Sequence, residues 1–434
     1  MGERERILEH LENDYTEPVR DPVWKHIFVS PALLRIAELD GFQKLDRIRQ
    51  LGPASLVYPG ATHTRRCHSL GVFHLARRMI TTLVRKLPSS GPSPAAGVTR
   101  EGVTAFLCAA LLHDIGHYPF AHSLKDLAVE AHEALASRQI LSEFARPIRE
   151  HLRVEPEAVA AIIDHRVDYR GPVDVRFFWN LLSGVLDPDK LDYLNRDAFY
   201  CGVPYGVQDV DFILEEVYPD PQRGAAISRK GVMALENLLF SKYLMYKTVY
   251  WHKTVRIATA MIKKAIAAAL AGGAVRRGDL YGLDDEEFFS RFTGSGFPGA
   301  RLIADVRARS LYKQVFRVPF DEADQGHRAL ERVDERLELE NRIAAEAGAM
   351  LGRTVSPEDV VVDVPERISF EIDIPVIDPP LYRSPAGLDA SSVFGRIEGA
   401  DFPRALRTVS VSARRDEDLL ASLGRLDLSR AISG

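Results

Sequence analysis

The chain has 434 residues, 46% of them hydrophobic and 27% charged, ordinary values that exclude a disordered, collagen-like or low-complexity protein. Its 56 basic and 61 acidic side chains leave a net charge of −5, near neutrality, where a nucleic-acid coat protein would be basic. No apolar run reaches the roughly 18–20 residues that span a bilayer. Residues 1–6 are charged with both signs, so no secretory signal is expected. Three cysteines (Cys67, Cys108, Cys201) make no disulfide framework, which fits a cytoplasmic setting.

The first 60 residues alternate short helical patterns with turns. Residues 42–51 read as one helix, with Phe42, Leu45 and Ile48 on one face and Gly52-Pro53 as the stop. Residues 59–62 are a turn, and 65–87 a helix with Leu70, Phe73, Ala76, Ile80 and Leu83 at helical spacing. Residues 89–97, with Gly91, Pro92 and Pro94, are a loop. Thr99 is an N-cap with Glu101 in the first turn behind it. Residues 103–115 are apolar almost all round, a buried helix ended by Gly116 and Pro119. His113 and Asp114 then sit on its last turn, where an aspartate needs a partner or a metal. Residues 187–197 and 234–271 are further helices, the second closed by Gly272-Gly273. Residues 276–297 are glycine-rich and polar, 301–309 helical, and 353–380 rich in β-branched residues, with strands at 360–362 and 368–372. The expected fold is mainly α, a helical core over residues 1–280 and a smaller α+β portion over 281–434, without internal repeats.

Seven of the 13 histidines fall between His63 and His132, where an even spread gives about two. His68, the pair His113-Asp114, and Asp189 make a ligand set of imidazole and carboxylate suited to a divalent ion such as Mn, Fe, Zn or Mg. Adjacent helical residues lie about 100° apart, so both can lean on one ion. His68 and Asp189 arrive from other helices, as in sites built inside bundles. Asp189, Tyr193 and Asp197 fall on one helical stripe, and two carboxylates with a phenol are unlike plain core. Lys242, Tyr246, Tyr250 and Lys253 form a second stripe. An aromatic stripe alone is more often core, but flanking lysines suggest a sugar and phosphate wall. Arg65, three residues before His68, brings a cationic fork to the same cavity, and Lys190 beside Asp189 is a second candidate cation.

His68…His113-Asp114…Asp189 resembles the H…HD…D signature of the HD-domain metal-dependent phosphohydrolases. The flanks stand in family order: Phe42-Gln43, Gln50-Leu51-Gly52, Pro59-Gly60-Ala61, Arg65, His68-Ser69-Leu70-Gly71-Val72, His113-Asp114-Ile115-Gly116-His117 with Pro119-Phe120 and His122, His132-Glu133, Asp189-Lys190 with Asp192-Tyr193, and Arg196-Asp197. Together they resemble the deoxynucleoside triphosphate triphosphohydrolase branch, from about residue 21 to about residue 266. With about 20 residues ahead of the match, no sterile-alpha-motif domain is expected before it.

The resemblance implies His68, His113, Asp114 and Asp189 as ligands of a divalent ion. It implies His117, His122 and His132 as imidazoles that polarise a phosphate or pass a proton to the leaving sugar oxygen, with Glu133 orienting His132. Tyr250 would pack on deoxyribose, Asp197 and Gln50 hold the 3′-hydroxyl, and Leu51 close the 2′ side. Lys242 stands where an arginine contacts phosphate, keeping the charge but losing the fork. Asp46 stands where nucleotide-activated members carry an arginine, which puts control by GTP in doubt. The implied activity is metal-dependent hydrolysis of deoxynucleoside triphosphates to deoxynucleoside and inorganic triphosphate, by a homo-oligomer without membrane contact. Another HD-type phosphodiesterase, phosphatase or nuclease is the alternative, and a non-catalytic nucleotide sensor the third reading. Single-stranded nucleic acid is left open as a partner but not indicated.

Overall fold

The computed structural model describes residues 2–87, 97–294, 296–368, 374–378 and 406–433. Most of the loop expected at 89–97 and of the strand expected at 368–372 lies outside them.

The fold is mainly α, with three small sheets among the described residues. Glu17–Asp21 and Lys25–Val29 pair as an antiparallel hairpin. Val217–Asp220 pairs antiparallel with Gly224–Ser228, which takes Val376–Ile377 as a parallel neighbour. In the C-terminal portion Thr408–Ala413 lies between Lys313–Pro319 and Val360–Asp363, antiparallel to both. Val360, Val361 and Val362 are therefore strand residues, as expected. No described helix is long and apolar enough to cross a membrane.

Burial follows the hydrophobic pattern. The Arg65–Arg85 helix buries Leu70, Phe73, Ala76, Ile80 and Leu83, at about 1.5–3 kcal/mol for each large side chain. The Arg100–Leu112 helix is buried on every face from Gly102 onward. Thr99 caps it, accepting from the Gly102 amide at 3.1 Å. These helices share a core with Pro156–Ile163, Val175–Leu182 and Pro188–Cys201. A second core gathers around the Lys253–Ala271 helix, and a third lies within residues 320–432.

Four elements differ from the sequence reading. The helix expected over 42–51 ends early: Asp40–Gln43 is α, Lys44–Arg47 is 3-10, and Ile48 is extended. The cause is long-range pairing, because the Arg65 amide donates to the Ile48 carbonyl and the Gln50 amide to the His63 carbonyl. The helix expected over 234–271 is two, Val232–Met245 and Lys253–Ala271, joined by the π turn Tyr246–Tyr250. The polar stretch 276–297 holds a helix, Asp285–Thr293, closed by a reciprocal Asp284–Glu287 capping box. The early hairpin stands where only helical patterns and turns were expected. Its turn is set by Asp21, which accepts from the Val23 and Trp24 amides.

Candidate metal centre and cavity

Three helical segments meet at the base of one cavity of about 1070 Å³. The Arg65–Arg85 helix supplies Arg65 and His68, both buried. The Arg100–Leu112 helix stops three residues short of the expected end at residue 115, so His113 is its C-cap and Asp114 follows. Asp189 lies in the first turn of Pro188–Cys201, which Asp187 caps by accepting from the Lys190 amide at 2.6 Å.

The donor atoms of His68, His113 and Asp114 lie within 4.8 Å of one another, and His68 Nε2 is 2.9 Å from Asp189 Oδ1. His113 Nδ1 lies 3.0 Å from the Ala110 carbonyl. A proton there bonds back to the helix and leaves Nε2 as a lone pair, which is buried without a hydrogen-bond partner. His68 Nδ1 is 2.8 Å from Asp192 Oδ2. Asp192 is in turn fixed by two bonds from Arg196, at 2.8 and 2.9 Å, and one from the Trp24 indole. Arg196 also donates to Asp21 at 2.8 Å. A carboxylate behind His68 and a backbone carbonyl behind His113 are the partners that orient ligating imidazoles in metal proteins.

The charges point the same way. Burial works against a charged His68, yet the Asp189 and Asp192 carboxylates outweigh it and lift its pKa to about 10. Burial likewise opposes a charged Asp114, but His117, His113 and Arg65 hold its carboxyl well below the usual range. Two imidazoles and two carboxylates around an orphaned Nε2 fit a divalent cation.

Above this base sit three more imidazoles. His117 Nε2 and His122 Nε2 are 3.0 Å apart, the His117 and His132 ring centroids 3.9 Å, and the His122 and His132 centroids 5.3 Å. Burial, then the charge of Arg65, push His117 down to about 4. Burial, then the neighbouring imidazoles, hold His132 well below its ordinary value. Both are neutral near pH 7. Glu133 Oε1 lies 3.3 Å from His132 Nε2 but does not line the cavity. Gly116 makes the crowding feasible, because a Cβ there would overlap the His132 carbonyl and the Ala136 amide.

Gln50, Leu51, Tyr193, Asp197, Lys242, Tyr246 and Tyr250 form the adjoining wall. Asp197 is buried between His63 Nε2, at 2.8 Å, and the Tyr250 hydroxyl, which donates at 2.7 Å. Gln50 Oε1 is buried and unpartnered. Arg65 Nη1 donates to Asp114 at 2.7 Å, while its Nε has no partner.

Besides Glu133, two expected residues are not brought to this cavity. The Lys190 ammonium bonds to Asp187 and to the Gly184 carbonyl, closing its own helix start. Lys253 falls after the π turn: the extra residue rotates the register, His252 caps a new helix, and Lys253 is exposed. Sequence reasoning missed Asp192, Arg196 and His63, although Asp192 follows Asp189 by one helical turn. It also missed the wall supplied from beyond residue 280 by Asp285, Phe289, Arg307 and Glu366, which nothing local in the sequence marks.

Residues 65–192 match the family model of the HD domain, and residues 209–377 that of an HD-associated region. The chain is 31% identical over 302 residues to an uncharacterized protein of Methanocaldococcus jannaschii, covering 68% of this chain and 59% of that protein. It is 36% identical over 255 residues to YwfO of Bacillus subtilis, covering 58% and 55%. To the human deoxynucleoside triphosphate triphosphohydrolase SAMHD1 it is 25% identical over 416 residues, covering 84% and 65%. The chain thus spans less than two thirds of the length of these curated relatives. A phosphohydrolase from Bacteroides thetaiotaomicron, at 25% identity, shares the fold with a TM-score of 0.69 over 92% of this chain and 100% of its own.

Proposed function

The chain is an HD-domain protein of the phosphohydrolase type, and from that premise we propose that it hydrolyses deoxynucleoside triphosphates to deoxynucleoside and inorganic triphosphate. One observation carries the reading: the candidate metal base, the imidazole cluster and a sugar-sized wall of Leu51, Gln50, Asp197 and Tyr250 share a single cavity.

His68, His113, Asp114 and Asp189 would hold a divalent ion, which when bound neutralises phosphate charge and acidifies water. Arg65, anchored on Asp114, keeps Nε for a phosphate oxygen. The neutral imidazoles of His122 and His132 face the phosphates, whose negative charge favours their protonation. The protonated form then hands its proton to the departing 5′-oxygen, with Glu133 fixing the His132 ring. Asp197 and Gln50 take the 3′-hydroxyl, and Tyr250, held by Asp197, packs on the sugar. The similarity to SAMHD1, named as a deoxynucleoside triphosphate triphosphohydrolase, supports the substrate class. The reading includes a cytoplasmic homo-oligomer.

Metal-loaded protein incubated with a panel of nucleotides tests it, products being identified by mass. Inorganic triphosphate plus deoxynucleoside is the expected pair. Nucleoside monophosphate would instead indicate a phosphodiesterase or pyrophosphohydrolase, and no product a sensor. A leucine beneath the sugar leaves a ribose 2′-hydroxyl unpaired, at about 1–3 kcal/mol. The expected kcat/KM ratio of dGTP over GTP is then roughly five- to hundredfold, narrowed by Leu51→Gly. A ratio of one in the parent would count against the deoxynucleotide reading.

A further inference from the structure

A cation stands beside the imidazole cluster that neither the ligand set nor the sugar wall uses. Residues Ala121–Leu127 form a 3-10 helix, whose three-residue turn places side chains i and i+3 one above the other. His122 and Lys125 stand in that relation, and both line the cavity. His132 lines the same cavity.

The segment is fixed at both ends. Phe120 and Ala128 hold left-handed backbones, with φ of 63° and 52°, and Phe120 packs against Phe288 and Phe289 at 5.2 and 6.1 Å. The neighbouring carboxylate does not neutralise the lysine, because Asp126 is turned away to Lys263 and Arg336, at 3.0 and 2.6 Å.

Each of the other cations of the cavity wall already has a partner within the chain. Arg65 is bonded to Asp114, Arg47 to Asp284, Arg256 to Asp363 and Glu366, Arg307 to Glu286 and Arg367 to Glu331. Arg49 donates to Ser55, and Lys242 also has a partner. Lys125 is exposed and, among the described residues of the wall, has neither ion pair nor hydrogen bond. A cation without an ion pair at the mouth of the cavity, beside the imidazole cluster, is placed for an anion that arrives with the substrate.

We propose that Lys125 is a phosphate-binding residue, gripping the polyphosphate chain from the imidazole side while Arg65 and the metal base grip it from below. The proposal rests on the triphosphohydrolase reading and deepens it. An ammonium is a compact point charge without a fixed fork, which suits a phosphate chain that must leave after cleavage.

Inorganic triphosphate is the probe, titrated into the full metal-loaded chain by calorimetry at low salt. Lys125→Met should weaken binding at least tenfold, with an unchanged melting temperature because the side chain is exposed. Lys125→Arg should restore it to within about threefold, since charge rather than shape carries the contact. In turnover, the Lys125→Met effect should fall mainly on KM. Equal triphosphate affinity in parent and Lys125→Met would overturn the inference, even where the parent releases triphosphate from a deoxynucleotide. A parent that neither binds triphosphate nor releases it would remove the functional reading and this inference together.

Discussion

At the scale of single residues, the site depends on groups that never touch the metal. Gly71 is the sharpest case. A Cβ there would overlap the Asp192 carboxylate and crowd Arg196, and Asp192 is what orients His68. Gly71→Ala should therefore lower metal affinity roughly 10–100-fold, the usual cost of disturbing such support, with all four candidate ligands intact. Metal content measured against free-ion concentration checks this. His113→Ala with Asp114→Ala should remove bound metal altogether. His132→Ala should instead keep the metal and lose about 10²–10⁴ in turnover; equal turnover would make His132 structural. A different histidine reports on stability. His74 stacks on Trp24 with ring centroids 6.0 Å apart, and burial, then Arg78 and Arg77, push its pKa down from 6.5 to about 4. The folded state thus prefers neutral His74. That preference contributes fully above pH 6.5 and is lost as pH falls towards 4, by up to about 3 kcal/mol. The stability loss between pH 7.5 and 4.5 in urea melts should be smaller in His74→Phe than in the parent by that order.

At the scale of elements, local pattern carried far and then stopped at long-range contacts. The Arg65–Arg85 helix, the Thr99 cap and the helix bearing Asp189, Tyr193 and Asp197 were legible because their periodicity and caps are local signals. Residues 48–50 were not, because their extended form depends on pairing with residues 63–65. That same departure delivers Gln50 and Leu51 to the cavity. The Asp284–Glu287 capping box was present in the sequence, but the polar composition around it outweighed it in the reading. The π turn left no readable mark, and it split a stripe that looked continuous. Lys242 on one side faces the cavity and Lys253 on the other faces solvent. Lys242→Met should raise KM for a triphosphate substrate several-fold, whereas Lys253→Met should leave both kinetic constants unchanged. An equal effect of the two would mean that the helices rearrange on binding.

At the scale of the whole molecule, the candidate ligands come from three separate helical segments, while the cavity rim extends to residues beyond 280. Metal should stabilise the fold by mass action, by about 2.7 kcal/mol at a hundredfold excess over Kd. The doubly substituted His113→Ala, Asp114→Ala chain should show no such rise in its melting temperature. The Lys253–Ala271 helix joins the regions physically. Fourteen of its 19 residues are buried. Its cations reach outward to anchor the rest: Arg256 to Asp363, Lys263 to Asp126, and Lys264 to Glu340 and the Pro357 and Val360 carbonyls. Such a helix cannot open locally without breaking contacts on every side. Its amide protons should therefore be among the slowest to exchange with deuterated water, released only when the whole chain unfolds, and binding that stabilises the metal base should slow them although no residue of this helix is a candidate ligand.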